Sequence, residues 1–146
     1  MSRQDLEEEL LEPASNTYAQ LLRSRGFERV NAIRSGLSYS ELELLQSAVL
    51  LSAAETARAL GIPERTLARR KNDGRLTSEE SDRLDRVIRV VQLGRNVLGD
   101  EAKIRAWLHA PSRALGGVIP LELLDTDRGV RAVEDVLLRI EHGIYG

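Results

Sequence analysis

The residues best suited to chemistry in this sequence are basic side chains grouped on one short segment. Residues 58–75 carry six basic side chains against two acidic ones, a net charge of +4, whereas the whole 146-residue chain carries a net charge of -2. A local basic patch inside an acidic protein points to an anionic partner such as a nucleic acid. A solvated helix face is the alternative that charge alone leaves open.

The small and apolar residues of this segment have the spacing of a helix-turn-helix. Ala57 precedes Gly61 by four residues, and Leu67 follows Gly61 by six. Two helices that cross near a right angle need a small residue where they touch and a glycine that can adopt positive φ in the turn. Leu60, Ile62 and Leu67 are then expected to form the small core beneath the second helix.

The second helix of such a motif lies in the DNA major groove, with its first residues toward the base edges. Arg65 and Arg69 are four residues apart and share a face, and arginine pairs with guanine through two hydrogen bonds. Thr66 suits a thymine methyl group or a phosphate, whereas the residues that follow are better placed for phosphates. The predicted DNA-binding residues are Arg65, Thr66, Arg69, Arg70, Lys71 and Arg75. Arg70 departs from the pattern, because many helix-turn-helix cores carry an apolar residue at this position.

No set of residues predicts catalysis, a cofactor or a metal site. The two histidines, His109 and His142, fit no zinc spacing and are expected to be surface or capping residues. The chain has no cysteine, and its composition suits a reducing cytosol. No apolar run approaches the roughly 20 residues of a membrane span, and the acidic N-terminus is unlike a secretory signal. We therefore expect a cytoplasmic protein that is not an enzyme.

The elements that must position these residues are all predicted to be helices, because no segment alternates with the period of a strand. Three capping boxes mark helix starts, at Ser38–Glu41, Ser52–Glu55 and Thr77–Glu80. Helices are expected at about 18–25, 27–35, 38–49, 53–60, 64–71, 78–98, 101–109, 121–124 and 127–141. Glycines are expected to end the first two of these, at Gly26 and Gly36. The fold class is therefore all-α.

The chain divides into an N-terminal and a C-terminal helical unit, with the boundary near Gly74. Residues 1–16 are predicted to be an acidic tail that is disordered or marginally helical. Residues 17–75 form the predicted DNA-binding unit, and residues 76–146 form the second unit. Since no long flexible linker separates the two units, they are expected to pack together.

The residues after the final predicted helix are a second candidate binding segment. Gly143 permits a sharp change of direction, and it is followed by Ile144 and Tyr145. A tyrosine at an interface offers a large surface and a hydroxyl group, and residues 121–146 carry a net charge of -3, from six acidic and three basic side chains. Folding back of these side chains onto their own core is the alternative.

Several segments together resemble one family, the Xre/MbcA/ParS-type antitoxins that are partners of RES-domain toxins. The resemblance begins near Gly36, covers about three quarters of the chain and departs from the family at Ser112, where asparagine is frequent. Residues 59–70 are similar to the degenerate helix-turn-helix of the family and residues 76–84 to its next signature. Segments similar to its toxin-binding domain are 99–108, 111–124 and 133–146.

The resemblance implies a protein with two partners. Its C-terminal domain would bind and inhibit an NAD-consuming RES-domain toxin by covering the active site with the C-terminal end. In this chain the corresponding residues are Arg139, Glu141, His142, Gly143, Ile144, Tyr145 and Gly146. The N-terminal helix-turn-helix domain would bind the promoter of its own operon as a homodimer and repress it, associated with the nucleoid. The alternatives are a stand-alone transcription regulator, with a C-terminal domain for dimerisation or a ligand, and a helical adaptor without DNA binding.

Overall fold

The structure, a computed structural model, describes residues 2–5 and 24–143 of the chain. Between residues 24 and 143 the regular elements are helices, joined by two single β-bridges, Ser38 to Arg75 and Ser112 to Val118. The α-helices are α1 (Arg29–Ser35), α2 (Tyr39–Val49), α3 (Ala53–Leu60), α4 (Glu64–Asp73), α5 (Ser78–Leu98), α6 (Glu101–His109) and α7 (Asp127–Glu141). A π-helical turn (Ser24–Glu28) precedes α1, and two 3₁₀ turns (Arg113–Leu115 and Pro120–Leu123) lie between α6 and α7. The all-α prediction is confirmed.

The long helix α5 is the element on which most of the others pack. It contacts α1, α2, α3, α6 and α7, and its buried residues include Leu84, Val87 and Val90. Gly94 of α5 lies against the side chain of Ile104 in α6, so closely that a Cβ atom at this position would collide with it. One cluster of buried residues therefore runs from the N-terminal helices to α7, and the two units share it.

The predicted bounds of the later helices are confirmed. Helix α5 ends at Gly99, which adopts a φ of 101°, and Asp100 caps α6 by accepting a hydrogen bond from the Lys103 amide at 2.8 Å. Helix α7 has a cap that the sequence analysis did not identify, because the Thr126 hydroxyl accepts from the Gly129 amide at 2.9 Å. No helix of the described residues combines the length and the apolar character needed to cross a membrane.

Two of the three predicted capping boxes are present, and the one at Ser38 is wrong. At Ser52 and Thr77 the hydroxyl and the glutamate make both expected bonds. Ser38 makes no cap bond, and its hydroxyl lies 2.9 Å from that of Ser40. The glutamate of this box, Glu41, forms a 2.6 Å ion pair with Arg29 of α1 instead.

The predicted helix stop at Gly26 is also wrong. The π-helical turn Ser24–Glu28 passes through this residue and continues directly into α1. Gly26 does not have the positive φ that ends a helix, whereas Gly36, with a φ of 92°, ends α1 as predicted. Most of the helix predicted at 18–25, and all of the predicted tail but residues 2–5, lies outside the described residues.

Candidate functional site

Helices α3 and α4 form the predicted helix-turn-helix. Gly61 adopts the left-handed conformation, with a φ of 67°, at the end of α3. The Ile62 amide then bonds back to the Ala57 carbonyl at 3.0 Å, and the Pro63 carbonyl accepts the amides of Thr66 and Leu67 at the start of α4. Since Gly61 permits this tight reversal and proline needs no amide partner at a helix start, the local sequence accounts for the turn.

The outer face of α4 presents three of the predicted DNA-binding side chains to solvent. Leu67 is the one buried residue of the helix, and Thr66 is half-buried. Arg65, Arg69 and Lys71 are exposed. Among the described residues these three side chains make no hydrogen bond or ion pair, so their donors are available to a partner.

Arg70 lies on the opposite side of α4 and is held by the long helix. Its guanidinium donates two hydrogen bonds to the carboxylate of Glu80, at 2.7 and 3.1 Å, and a third to Asp73 at 3.3 Å. The side chains of Arg70 and Glu80 are only 17% and 6% exposed. Because its donors are engaged in this way, Arg70 fixes α4 on α5, in the position where other helix-turn-helix motifs use an apolar contact.

Glu80 also caps α5, so one carboxylate supports two helices. Its Oε1 accepts from the Thr77 amide at 2.9 Å while both of its oxygens accept from Arg70. Burial acts to raise the pKa of Glu80, but the hydrogen bonds from Arg70 and Thr77 outweigh it and hold the pKa below its usual range. The sequence identified Glu80 as a cap and gave no sign of its second partner.

Arg75, the last of the predicted DNA-binding residues, follows the fixed end of α4. Gly74 ends the helix with a φ of 75°, and its carbonyl accepts from the Tyr39 amide at 3.0 Å. Leu76 in turn donates to the Leu37 carbonyl at 2.9 Å. Arg75 is exposed and donates a hydrogen bond to the Ser35 carbonyl at 3.2 Å.

Two side chains of α6 join the C-terminal unit to the start of the helix-turn-helix. Arg105 donates to the Ala48 carbonyl at 3.1 Å, and the ring of His109 donates to the Val49 carbonyl at 2.8 Å. These carbonyls lie at the C-terminal end of α2, where the helix dipole favours a cation such as the Arg105 guanidinium. The His109 ring also lies 3.6 Å from Glu55, the capping glutamate of α3. His109 was expected to be a surface or capping residue, but no sequence signal indicated that it caps a helix of the other unit.

The C-terminal helix α7 is attached by an apolar stripe and leaves its end exposed. Val130, Val133 and Leu137 are buried as expected, and Ile140 is half-buried. The predicted toxin-binding residues Arg139, Glu141, His142 and Gly143 are exposed, and Gly143 has a φ of 72°, so the chain leaves the helical path there. The remaining predicted residues, Ile144, Tyr145 and Gly146, lie outside the described residues.

No group of histidine, aspartate and glutamate side chains within the described part of the chain could hold a metal ion.

The loop at Ser112 is organised by its backbone, because the Ser112 carbonyl accepts from the Gly117 amide at 2.7 Å and the Ser112 amide donates to the Val118 carbonyl. Gly116 and Gly117 have positive φ and form a tight turn ahead of Pro120, as expected.

Comparison with known proteins assigns a family to both parts of the chain. Residues 28–89 match the antitoxin Xre-like helix-turn-helix domain, and residues 93–143 match the antitoxin Xre/MbcA/ParS C-terminal toxin-binding domain. The first match contains the α3–α4 motif, and the second contains α6 and the exposed end of α7.

Relatives that align with the chain over most of their length agree with these matches. Antitoxin Xre of Yersinia enterocolitica is 38% identical over 124 residues, which cover 84% of each chain. Antitoxin Xre of Photorhabdus laumondii is 35% identical over 79% of this chain and 80% of its own. The Prs ADP-ribosylating antitoxin of a Sphingobium species is 26% identical over 88% of this chain and 87% of its own. The protein thus belongs to the Xre/MbcA/ParS antitoxin family.

Proposed function

We propose that this antitoxin inhibits an NAD-consuming RES-domain toxin with its C-terminal end and represses its own promoter through α4. The observation that carries the proposal is that two exposed surfaces of opposite charge, the outer face of α4 and the end of α7, are attached to one shared core. Arg65, Arg69 and Lys71 stand unpaired on α4, whereas the acidic C-terminal segment ends in an exposed last turn. Both proteins of such a pair would act in the bacterial cytoplasm.

The toxin-binding part of the proposal rests on the end of α7. The helix is fixed to the core up to Leu137, so its last turn has a defined direction. Beyond it the chain turns at Gly143, and the net charge of -3 over residues 121–146 suits a basic pocket that binds NAD phosphates. Residues 144–146 are proposed to enter that pocket.

The DNA-binding part rests on how α4 is attached. Leu67 and Arg70 face the core and leave Arg65 and Arg69 on the opposite face, four residues apart. This arrangement allows two guanidinium groups to reach base edges in one major groove. Lys71 and Arg75 follow toward the helix end, where phosphate contacts are expected.

The test uses two variants that should separate the two activities. Deletion of residues 144–146 should abolish rescue of growth when the chain is co-expressed with the toxin from the neighbouring gene, and should leave promoter binding intact. Substitution of Arg65 and Arg69 by alanine should weaken promoter binding by about 1–3 kcal/mol for each lost base contact, and should leave growth rescue intact. Each variant is therefore the control for the other.

Full growth rescue by the deletion variant would reject the C-terminal mechanism. Unchanged promoter retardation by the double alanine variant would reject α4 as the DNA-contacting helix. If the chain neither copurifies with the product of the neighbouring gene nor protects against it, but still binds its promoter, a stand-alone regulator is the correct description.

A further inference from the structure

An apolar groove lies between α2 and α5, and no residue of α4 or α7 lines it. Its volume is about 190 Å³, and its apolar lining comprises Leu44, Leu45, Ala48, Ile88 and Val91. Toward α1 it continues into a second cavity of about 370 Å³, which ends at Arg29 and shares with the first the residues Glu41, Ile88 and Gln92. Leu44 is 72% exposed although it stands in the middle of α2. An exposed leucine beside a long apolar groove favours an occupant.

The exposed charges of this groove are cationic. Its two acidic residues, Glu41 and Asp85, both pair with Arg29, at 2.6 and 2.7 Å. The side chains of Arg89 and Arg95 are more exposed, at 56% and 48%. At such exposure their existing ion pairs are weak, so both guanidinium groups can bind another carboxylate. The groove therefore suits an occupant that combines apolar side chains with negative charge.

One segment of the chain itself has this composition. Residues 6–23 lie outside the described residues and end directly before Ser24, five residues from Arg29. They carry five leucines and one tyrosine, with a net charge of -3 from four glutamates and one arginine. The two family matches begin at residues 28 and 93, so neither domain accounts for this segment.

We propose that residues 6–23 bind in the groove between α2 and α5 of their own chain. The groove follows α5 from Asp85 to Arg95, and ten residues of helix span about 15 Å. Eighteen residues span about 27 Å even at the same rise per residue, so the segment is long enough to reach the far end. Its leucines would cover Leu44, and its glutamates would lie beside the exposed arginines. Since the segment is tethered next to the groove, its effective concentration there is high.

The test detects the segment beside the groove in the full chain, without toxin or DNA. Because the chain has no cysteine, the substitution Ser47→Cys allows one nitroxide label to be attached at an exposed position next to the groove residue Ala48. The amide NMR signals of residues 6–23 should then lose intensity. The same label attached through Ala68→Cys, at an exposed position of α4, should leave these signals unchanged.

Two changes in the groove should release the segment and restore its signals. Leu44→Asp should weaken docking about tenfold or more, the factor expected from the burial of one leucine side chain. Leu50→Asp is the matched control, because Leu50 is 61% exposed and does not line the groove. The double variant Arg89→Glu, Arg95→Glu should also restore the signals, whereas Arg131→Glu on α7, where the side chain is 75% exposed, should not. The circular dichroism spectra of all variants should be unchanged.

Signals that the label at position 47 leaves unchanged, or that stay weak in Leu44→Asp, would overturn the proposal, and so would an equal loss caused by the label on α4. In a mixture of isotope-labelled chains and nitroxide-labelled chains, a loss of the same signals would assign the groove to the segment of a second copy. If the label detects no segment and Leu44→Asp abolishes copurification with the toxin, the groove is a toxin contact and the proposal also fails. None of the NMR measurements depends on the proposed toxin or promoter binding, so the two proposals fail separately.

Discussion

Helices α4 and α7 carry the two proposed binding surfaces, and they are attached to the core in different ways. Helix α7 buries Val130, Val133, Val136 and Leu137 along one side. Helix α4 buries only Leu67 and adds the ion pair between its Arg70 and Glu80 of α5. An apolar stripe tolerates changes of pH and salt, whereas a hydrogen-bonded ion pair depends on both but sets the orientation of the helix more narrowly. The difference predicts that the attachment of α4 to the core depends on pH and salt more strongly than the attachment of α7.

The largest effect is expected from Leu137→Ala, which weakens the attachment of α7. Leu137 is fully buried, so the substitution should lower the free energy of unfolding by about 2–5 kcal/mol through lost apolar burial and the cavity that remains. Urea denaturation measures this loss, which should be similar at pH 5 and pH 8. Leu138→Ala is the control, because Leu138 is 39% exposed and its loss should cost less than about 1 kcal/mol. Equal losses in the two variants would contradict the assignment of the buried stripe.

A slightly smaller effect is expected from Arg70→Ala, which leaves the Glu80 carboxylate buried without its main partner. Removing one partner of a buried ion pair lowers the free energy of unfolding by about 3 kcal/mol. Because Arg70 is partly exposed, we expect a loss at or below that figure. The same denaturation experiment applies, with Arg69→Ala as the control on the outer face. The double variant Arg70→Met, Glu80→Met should recover part of the stability, because it removes the unpaired buried charge but also loses the bond from the Thr77 amide to Glu80. A double variant as unstable as Arg70→Ala would show that the pair does more than replace an apolar contact.

The contribution of Glu80 should also depend on pH. Because its pKa is lower in the folded chain than the usual 4.5, the carboxylate stabilises the fold above that value, and this stabilisation is lost as the pH falls through the lower, folded-state pKa. In urea titrations, the difference in stability between the wild-type chain and Glu80→Gln should therefore be largest above pH 5 and shrink toward pH 3. A difference that stays constant over this range would contradict the assigned state of Glu80. Leu137→Ala should show no such trend.

The smallest effect concerns helix starts. Thr126 caps α7, whereas α4 begins at Pro63 and has no side-chain cap. Thr126→Ala should cost about 1 kcal/mol. Ser38→Ala is the matched control, since the Ser38 hydroxyl makes no cap bond and its removal should cost only a few tenths of a kcal/mol. If both substitutions cost the same, the hydroxyl bond to Gly129 does not stabilise α7.

The sequence predicted those features that depend on residues close together in the chain. The bounds of α5, α6 and α7, the turn at Gly61 and two capping boxes follow from spacing, glycine conformation and hydroxyl chemistry within a few residues. The capping box at Ser38 failed because its glutamate pairs with Arg29 of another helix, and because the Glu41 amide donates to the Ser38 carbonyl rather than to the hydroxyl. The pairing of Arg70 with Glu80 and the contacts of Arg105 and His109 with the end of α2 were missed for the same reason. Each joins side chains to groups on a different helix, and no local pattern specifies that neighbour.

The position of α5 has a consequence for exchanging parts between relatives. The regions that match the two family domains meet within this helix, between residues 89 and 93, and both sides of the junction belong to one core. A chimera joined at Gly74 would take α5 from the donor of the toxin-binding part, and with it the Glu80 that receives Arg70 and the Ser81 hydroxyl that receives the Leu37 amide at 2.7 Å. A chimera joined near residue 91 would keep these contacts, but the bonds from Arg105 and His109 to the carbonyls that end α2 would then join the two donors. A toxin-binding half from one relative can therefore be joined to the helix-turn-helix half of another only if the register of α5 is preserved.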